Sequence, residues 1–95
     1  MLKKSYIEKQ GICVVTFNVR FDGASKVELV GEWNGWTPEV MNKKRDGSFW
    51  LMKRLRSGRE YRFKYLIDGN AWENDPYADG YVPNPFGTTD SLVRC

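Results

Sequence analysis

The fold is decided at residues 60–76, which read EYRFKYLIDGNAWENDP. Between positions 60 and 68 every second residue is aromatic or aliphatic, namely Tyr61, Phe63, Tyr65 and Ile67. This period of two predicts a strand that turns one face towards a core. Asp68-Gly69 then predicts a tight hairpin turn, because Gly tolerates the positive φ that such turns need. The chain is expected to return through Trp72, which would share an outward surface with Lys64.

Length and composition limit the architecture. The 95 residues, of which 41% are hydrophobic and 15% aromatic, predict one folded domain over residues 1–95 with a modest core. Residues 1–10 form a polar lead-in that can supply an edge strand around Tyr6 and Ile7. The formal net charge of +3 permits an acidic partner without indicating one.

The compartment is predicted from what the chain lacks. No apolar run is long enough to span a membrane, and residues 1–10 have no apolar signal segment, so we expect no membrane partner and a cytoplasmic location. Cys13 lies in a strand pattern and Cys95 is the last residue, and two such cysteines do not indicate a disulfide-stapled secreted scaffold. The sequence leaves the redox state of Cys95 and the oligomeric state open.

Alternating patterns recur along the rest of the chain. They cover residues 13–21, 26–33 and 48–55, and a short closing strand is expected at 91–94. Residues 74–90 contain three prolines and are expected to form a long shaped loop. Six or seven short strands separated by turn signals predict an all-β fold, an antiparallel β-sandwich of immunoglobulin-like type.

The third of these alternating segments contains a conflict. The register that buries Phe49 and Leu55 also turns Lys53 inward. The opposite register buries Trp50 and Met52 instead. A β-bulge, or a sheet edge at which the Lys53 ammonium reaches solvent, would resolve the conflict.

The sequence excludes several kinds of catalysis. It contains no His, which removes the usual general base and the commonest metal ligand, and two distant cysteines cannot form a thiolate zinc site. No Gly-rich phosphate loop is present. Glycoside hydrolysis needs two carboxyls held in a deep cleft, for which a domain of this size has little room. We therefore expect a protein that is not an enzyme and uses no metal or cofactor.

Two of the four Trp residues are expected at the surface. Trp36 and Trp72 each follow a turn signal and have polar neighbours, whereas Trp33 ends an apolar strand and is expected in the core. Trp50 fits either environment. An exposed indole favours a partner with an apolar face, such as a pyranose ring, a nucleobase or another protein. The nearest polar candidates to orient such a partner are Lys64, Asn70 and Asp90.

Four motifs in order carry a family resemblance. They are GEWNGW at 31–36, YRFKYLIDG at 61–69, WENDP at 72–76 and YVPNPFG at 81–87. Together they resemble the family 48 carbohydrate-binding module, over about residues 14–93. This is the early-set domain that precedes the catalytic barrel in isoamylases and glycogen branching enzymes, and the glycogen-binding domain of the AMP-activated protein kinase beta subunit. The resemblance implies an early-set β-sandwich that binds α-1,4-glucans: glycogen, starch fragments, maltooligosaccharides and β-cyclodextrin.

The resemblance also assigns roles to single residues. Trp36 and Trp72 match the two Trp that stack on glucose rings, and Lys64 matches a Lys that donates hydrogen bonds to sugar hydroxyls. Phe86 stands where an apolar residue projects from a loop and threads or supports the curved glucan. Thr88 matches a loop residue close to the ligand.

Asp90 departs from the family pattern. It stands where binding members usually have Asn, and a carboxylate can accept hydrogen bonds from hydroxyls but cannot donate them. The Asp75-Pro76 turn resembles the family's turn and is expected to be structural. The sequence therefore leaves open what position 90 contributes to glucan affinity.

Three functions are compatible with the sequence. The leading one is a free-standing α-glucan-binding module that targets itself or an unlinked enzyme to glycogen. The alternative is an interaction domain that docks onto a separate glycogen-metabolising enzyme without glucan affinity of its own. The basic runs at 43–45 and 53–56 suggest a single-strand nucleic-acid binder, but no ribonucleoprotein-type aromatic motif accompanies them. We therefore expect no nucleic-acid partner.

Overall fold

The computed structural model, which describes residues 2–95, contains ten strands in two antiparallel sheets. In chain order the strands are β1 (Leu2–Ile7), β2 (Ile12–Arg20), β3 (Val27–Gly31), β4 (Glu39–Val40), β5 (Asn42–Lys43), β6 (Ser48–Arg56), β7 (Glu60–Ile67), β8 (Ala71–Glu73), β9 (Gly80–Pro83) and β10 (Thr89–Arg94). The first sheet has the order β1-β2-β6-β5, and the second has β4-β3-β7-β10-β9 with β8 paired to β7. The predicted all-β antiparallel sandwich is confirmed.

Helical structure is confined to two single turns of 3₁₀ helix within residues 2–95, at Glu8–Gln10 and Glu32–Asn34. No helix in this part of the chain is long and apolar enough to cross a membrane. The second turn shortens the predicted strand at 26–33, which ends at Gly31. Its Trp33 folds back over Gly31, where an added Cβ would lie 2.4 Å from the indole. Only glycine therefore fits at Gly31 without displacing this ring.

Strand β7 is the centre of the second sheet. It pairs with β3, β10 and β8, and its Phe63 and Tyr65 are fully buried as predicted. At its end, Asp68 has φ 49° and Gly69 has φ 75°, and the Asn70 N–H donates to the Ile67 carbonyl at 3.1 Å. Two central residues with positive φ define a type I′ turn, which matches the twist of the strands it joins. The predicted β7–β8 hairpin is confirmed.

An aromatic cluster fills the space between the sheets. Phe17 of β2 lies 5.1 Å from Phe63 of β7 and 5.4 Å from Trp33, measured between ring centroids. Tyr65 extends this cluster, since its ring lies 5.7 Å from that of Phe63. Offset and edge-to-face contacts of this kind add to the stabilisation from buried area. Trp33 therefore packs against the core, as its position at the end of an apolar strand indicates.

The conflict in β6 is resolved at a sheet edge. Phe49 and Leu55 are buried, and the half-buried Lys53 lies on the same face. The short strand β5 covers only Phe49 and Trp50, so the sheet edge is open beside Lys53. There the Lys53 Nζ reaches Glu39 Oε2 at 2.7 Å. The Lys53 side chain thus extends out of the core at the open edge of the sheet, which is the second of the two resolutions that the sequence suggests.

One segment is more ordered than the sequence indicates, and a second forms the edge strand that the sequence predicts. Residues 74–90, expected to be one long loop, contain the edge strand β9, whose Pro83 pairs with Thr89 of β10. Proline is tolerated there because an edge strand has one side free of ladder hydrogen bonds. In the polar lead-in, β1 forms the edge of the first sheet and includes Tyr6 and Ile7. Met1, the first residue of that lead-in, lies outside the described residues.

A buried polar network anchors the chain after β8. The Tyr65 hydroxyl donates to Asp75 Oδ2 at 2.8 Å, and the Asp75 N–H donates to Ser91 Oγ at 2.8 Å. Burial, and secondarily the Asp75 charge, raise the pKa of Tyr65 well above its ordinary value of 10.0. The hydroxyl therefore stays protonated as the donor to Asp75. This network fixes the segment that leads into the β9–β10 hairpin.

Candidate functional site

A surface groove of about 1010 Å³ lies on the outer side of the second sheet. It is lined by Glu32, Trp36, Arg62, Lys64, Trp72, Asn84, Pro85, Phe86, Thr88 and Asp90. Six of the seven side chains predicted to bind carbohydrate are thus brought together. The seventh, Asn70, is exposed in the β7–β8 turn and does not line the groove.

Trp36 reaches the groove from a strained backbone. Its φ is 65°, and its N–H donates to the Gly31 carbonyl at 2.9 Å. The Asn34 side chain accepts from the Thr37 N–H at 3.1 Å and closes the turn around it. A left-handed conformation costs a non-glycine residue roughly 1–2 kcal/mol, so the surrounding turn must hold Trp36 in an unfavourable backbone conformation. The Trp36 side chain remains 39% exposed, as expected from the turn signal.

Trp72 and Lys64 share the outer face of the second sheet. Trp72 pairs with Leu66 of β7, which alternates in phase with Lys64 two residues earlier. Trp72 is 52% exposed, and Lys64 Nζ donates to the Thr89 carbonyl at 2.8 Å. An ammonium group has three donors, so this bond orients Lys64 and leaves donors for a ligand.

Phe86 and Thr88 come from the loop that joins β9 and β10. Phe86 is at the tip and is 88% exposed, the largest exposed fraction among the large hydrophobic side chains of residues 2–95. Thr88 is exposed and follows two residues later, on the return to β10. Phe86 therefore extends the exposed apolar surface of Trp36 and Trp72 in the same groove.

Asp90 lies in the floor of the groove and is only 7% exposed. Its Oδ1 accepts from Asn84 Nδ2 at 2.9 Å, and its Oδ2 lies 3.9 Å from Arg62 Nη1. Both carboxylate oxygens therefore have protein partners, which suits a supporting role better than direct recognition of hydroxyls. The Arg62 N–H is in turn held by Glu32 Oε1 at 2.7 Å.

The charges that line the groove balance. Arg62 and Lys64 carry positive charges, and Glu32 and Asp90 carry negative charges. The basic runs at 43–45 and 53–56 do not line it. A groove with no net charge favours a neutral ligand over a polyanion.

A second, smaller groove continues past Trp72. It measures about 670 Å³, shares Lys64, Trp72, Asn84 and Thr88 with the first, and extends to Glu73 and Asn74. The exposed surface of Trp72 is therefore accessible from two contiguous depressions. This arrangement suits an elongated ligand that lies across the face of the sheet.

Neither cysteine lines the groove. Cys13 and Cys95 are both free thiols, and burial, with the nearby Cys13 thiol as the second cause, raises the pKa of Cys95 to about 12. Among residues 2–95 no three potential His, Cys, Asp or Glu ligands are grouped to hold a metal ion. What the groove offers is aromatic surface with hydrogen-bonding groups around it, the usual composition of a site for a small neutral ligand.

Two curated plant proteins are similar to part of the chain. Protein FLOURY ENDOSPERM 6, chloroplastic, from Oryza sativa subsp. japonica is 44% identical over 54 residues, which are 56% of this chain and 10% of that protein. Protein PTST homolog 2, chloroplastic, from Arabidopsis thaliana is 39% identical over 56 residues, 58% of this chain and 10% of that protein. The chain thus spans about a tenth of the length of the curated relatives it matches.

These relatives correct the predicted compartment. Both carry the word chloroplastic in their names, so the cytoplasmic location predicted from the sequence is wrong. Neither is named as an isoamylase or a branching enzyme, and that part of the resemblance stays a prediction.

The family match covers most of the chain. Residues 14–92 match the family described as the glycogen recognition site of AMP-activated protein kinase. All four sequence motifs and every residue that lines the larger groove fall within this range. A family defined by a recognition site supports a binding role in place of a catalytic one. The chain therefore belongs to the family of glycogen recognition sites of AMP-activated protein kinase, which is the glycogen-binding half of the resemblance read from its motifs.

Proposed function

We propose that the chain is a non-catalytic α-glucan-binding module that stacks glucose rings on Trp36 and Trp72. The observation that carries the proposal is that two half-exposed indoles and Lys64 line one charge-balanced groove. The C–H faces of a pyranose ring are apolar and pack against an indole, while Lys64 donates to the hydroxyls at the ring edge.

The loop between β9 and β10 completes the binding surface in this proposal. A helical α-1,4-glucan is curved, and Phe86 at the loop tip would support or thread that curve while Thr88 contacts a hydroxyl. The groove is shallow and its aromatic side chains are already exposed, so a single contact buries little area and binds weakly to moderately. Repeated contacts along a polymer would raise the apparent affinity.

We propose starch as the polymer, because the relatives point to a plastid compartment. The relatives named as chloroplastic support a plastid location, where the glucan would be starch. Residues 1–95 would then act as one targeting domain that carries itself, or an enzyme bound to it, to a glucan surface.

A second candidate function has a separate basis in the structure. Trp50 and Met52 lie on the outer face of β6, away from the groove, and Met52 is 54% exposed. This apolar surface favours docking onto a separate glucan-metabolising enzyme. This surface lies on the sheet opposite the groove, so docking through it would require no glucan affinity.

The test is affinity electrophoresis in native gels with and without glycogen or amylopectin. The wild-type chain should be retarded by the glucan, and the variants Trp36→Ala and Trp72→Ala should each lose most of that retardation. Met52→Ala is the matched control, because it removes an equally exposed apolar side chain from the opposite face and should migrate like wild type. Unchanged mobility of the wild-type chain in glucan would refute the binding function and leave the docking function.

A further inference from the structure

The loop between β9 and β10 is organised by one side chain. Asn84 Oδ1 accepts from the Phe86 N–H at 3.0 Å and from the Thr88 N–H at 3.1 Å. Its Nδ2 donates to Thr88 Oγ1 at 2.7 Å and to Asp90 Oδ1 at 2.9 Å. An amide side chain has two donor hydrogens and two acceptor lone pairs, so the hydrogen-bonding capacity of Asn84 is fully used inside the protein.

We propose that Asn84 is the positioning residue of the glucan site, and that its pairing with Asp90 holds the Phe86 tip in the conformation that meets the ligand. The proposal rests on the proposed glucan-binding function. Asn84 is hydrogen-bonded to three of the predicted site residues, Phe86, Thr88 and Asp90. Because these bonds use all the polar atoms of its side chain, Asn84 affects the ligand by positioning these three residues.

The exposed tip has little else to hold it. Phe86 is 88% exposed and takes no part in the aromatic pairs of the core. The backbone contributes two bonds, from the Asn84 N–H to the Thr88 carbonyl at 3.0 Å and from the Gly87 N–H to the Asn84 carbonyl at 3.4 Å. A loop that is ordered before binding avoids the entropy loss of ordering it on the ligand. Asn84 therefore preorganises the tip.

The direction of the hydrogen bond between Asn84 and Asp90 limits which side chains can replace them. Asp90 is an acceptor only, so its partner at position 84 must supply a donor. A carboxylate introduced at position 84 would still accept from the Phe86 and Thr88 N–H groups, but its second oxygen would oppose Asp90 Oδ1. Adding a carboxamide at position 90 would restore a donor and acceptor across the pair in the reverse direction.

The experiment uses four chains: wild type, Asn84→Asp, Asp90→Asn and the double variant Asn84→Asp/Asp90→Asn. Dissociation constants for β-cyclodextrin are measured by calorimetry, and thermal melting confirms that each chain folds. We expect Asn84→Asp to bind roughly tenfold more weakly, equivalent to ordering about one residue of backbone, and the double variant to recover most of that loss. Asn42→Asp, on the exposed strand β5 of the first sheet and outside the groove, is the matched control and should bind like wild type.

A second readout separates this proposal from the binding function. The ¹⁵N heteronuclear NOE of the Phe86 and Gly87 amides in the free protein should fall in Asn84→Asp and return in the double variant. Values that do not change in Asn84→Asp would overturn the proposal, as would a loss of affinity that the double variant fails to recover. If no chain bound the sugar, the proposed function would fail while the NOE would still decide whether Asn84 holds the loop.

Discussion

At the scale of single residues, Trp36 combines an exposed ring with an unfavourable backbone. Its φ of 65° follows Gly35 at 69°, so two consecutive residues are left-handed, and only the first is a glycine. The strain places the indole at the groove, where a glycine would offer no surface to a ligand. Under the proposed glucan-binding function, binding and stability therefore make opposite demands on this position.

The strain can be measured by comparing two substitutions at Trp36. Alanine and glycine both remove the indole, but only glycine adopts φ 65° without strain. We expect Trp36→Gly to be about 1 kcal/mol more stable to urea than Trp36→Ala, with glucan binding lost in both. An alanine variant as stable as the glycine variant would show that the backbone at position 36 is not strained.

Tyr65 is the residue on which the buried polar network depends. Tyr65→Phe leaves Asp75 Oδ2 without its hydroxyl partner in a fully buried site, and we expect a loss of about 1–3 kcal/mol in the free energy of unfolding. Tyr77→Phe is the control, since Tyr77 is 72% exposed, and its denaturation midpoint should match that of wild type. Equal denaturation midpoints for wild type, Tyr65→Phe and Tyr77→Phe would show that the hydrogen bond from Tyr65 to Asp75 does not stabilise the fold.

Tyr65 also gives the stability a pH dependence. Its raised pKa means that the folded state favours the protonated hydroxyl, so its contribution is complete below the ordinary value of 10.0 and is lost as pH rises above it. The wild-type chain should therefore lose more stability than Tyr65→Phe between pH 9 and about pH 11, measured by urea denaturation. Parallel losses in the two chains would contradict the assignment.

At the scale of elements, the site is made by two hairpins and one helical turn. The β7–β8 hairpin could be predicted because its period of two and its Asp68-Gly69 turn are local signals. Strand β9 could not, because it has four residues, ends in Pro83 and is ordered by pairing with β10. Short edge strands take their conformation from the neighbouring strand, and a single sequence does not contain that information.

The same difference between local signals and tertiary structure explains which site residues could be predicted from the sequence. Trp36, Trp72 and Phe86 were predicted from turns and motifs, and the groove includes them. Arg62 was missed although it lies in phase with Lys64 on β7, and that spacing was the available signal. The remaining residues missed were Glu32, Asn84 and Pro85, whose place in the groove depends on tertiary structure. Asn70 was predicted from proximity in sequence, but it closes the turn and lies outside the groove.

Glu39 connects the Trp36 turn to the opposite sheet. Its Oε1 accepts from Trp33 Nε1 at 3.2 Å and from Asn34 Nδ2 at 2.9 Å, and its Oε2 pairs with Lys53. We expect Glu39→Ala to lower the free energy of unfolding by about 1–2 kcal/mol, because the half-buried Trp33 and Lys53 and the exposed Asn34 lose a shared acceptor group.

The control for Glu39 is a pair of similar charge at the surface. The Glu60 carboxylate accepts from Arg94 Nε at 3.0 Å, and both side chains are more than half exposed. Glu60→Ala should therefore change the unfolding free energy by less than about 0.5 kcal/mol in urea denaturation. A Glu39 variant no less stable than the Glu60 variant would show that the turn is held by other contacts.

At the scale of the whole molecule, the net charge of +3 is separated from the balanced groove. Binding of a neutral glucan should therefore change less than about twofold between 50 and 500 mM salt, since no counterions are released. Calorimetric titration with β-cyclodextrin at the two salt concentrations checks this. A steep decrease in affinity with salt would indicate a polyanionic ligand and revive the nucleic-acid hypothesis.

The compartment was the least predictable property of the molecule. The fold of a binding domain is determined by its core and its turns, and neither contains information on the compartment in which the protein is located. The cytoplasmic prediction rested on a missing leader in a chain that spans about a tenth of its curated relatives. Such an absence carries no information on location, whereas the names of the relatives do.

The most direct test of glucan stacking on Trp36 and Trp72 is a titration of the ¹⁵N-labelled chain with β-cyclodextrin, followed through the four indole Nε1–H signals. The signals of Trp36 and Trp72 should shift with one common dissociation constant, while those of Trp33, packed against the core, and Trp50, on the opposite sheet, should stay in place. Single variants at each Trp assign the signals. Shifts confined to Trp33 or Trp50, or no shift at millimolar sugar, would contradict a glucan site built on these two side chains.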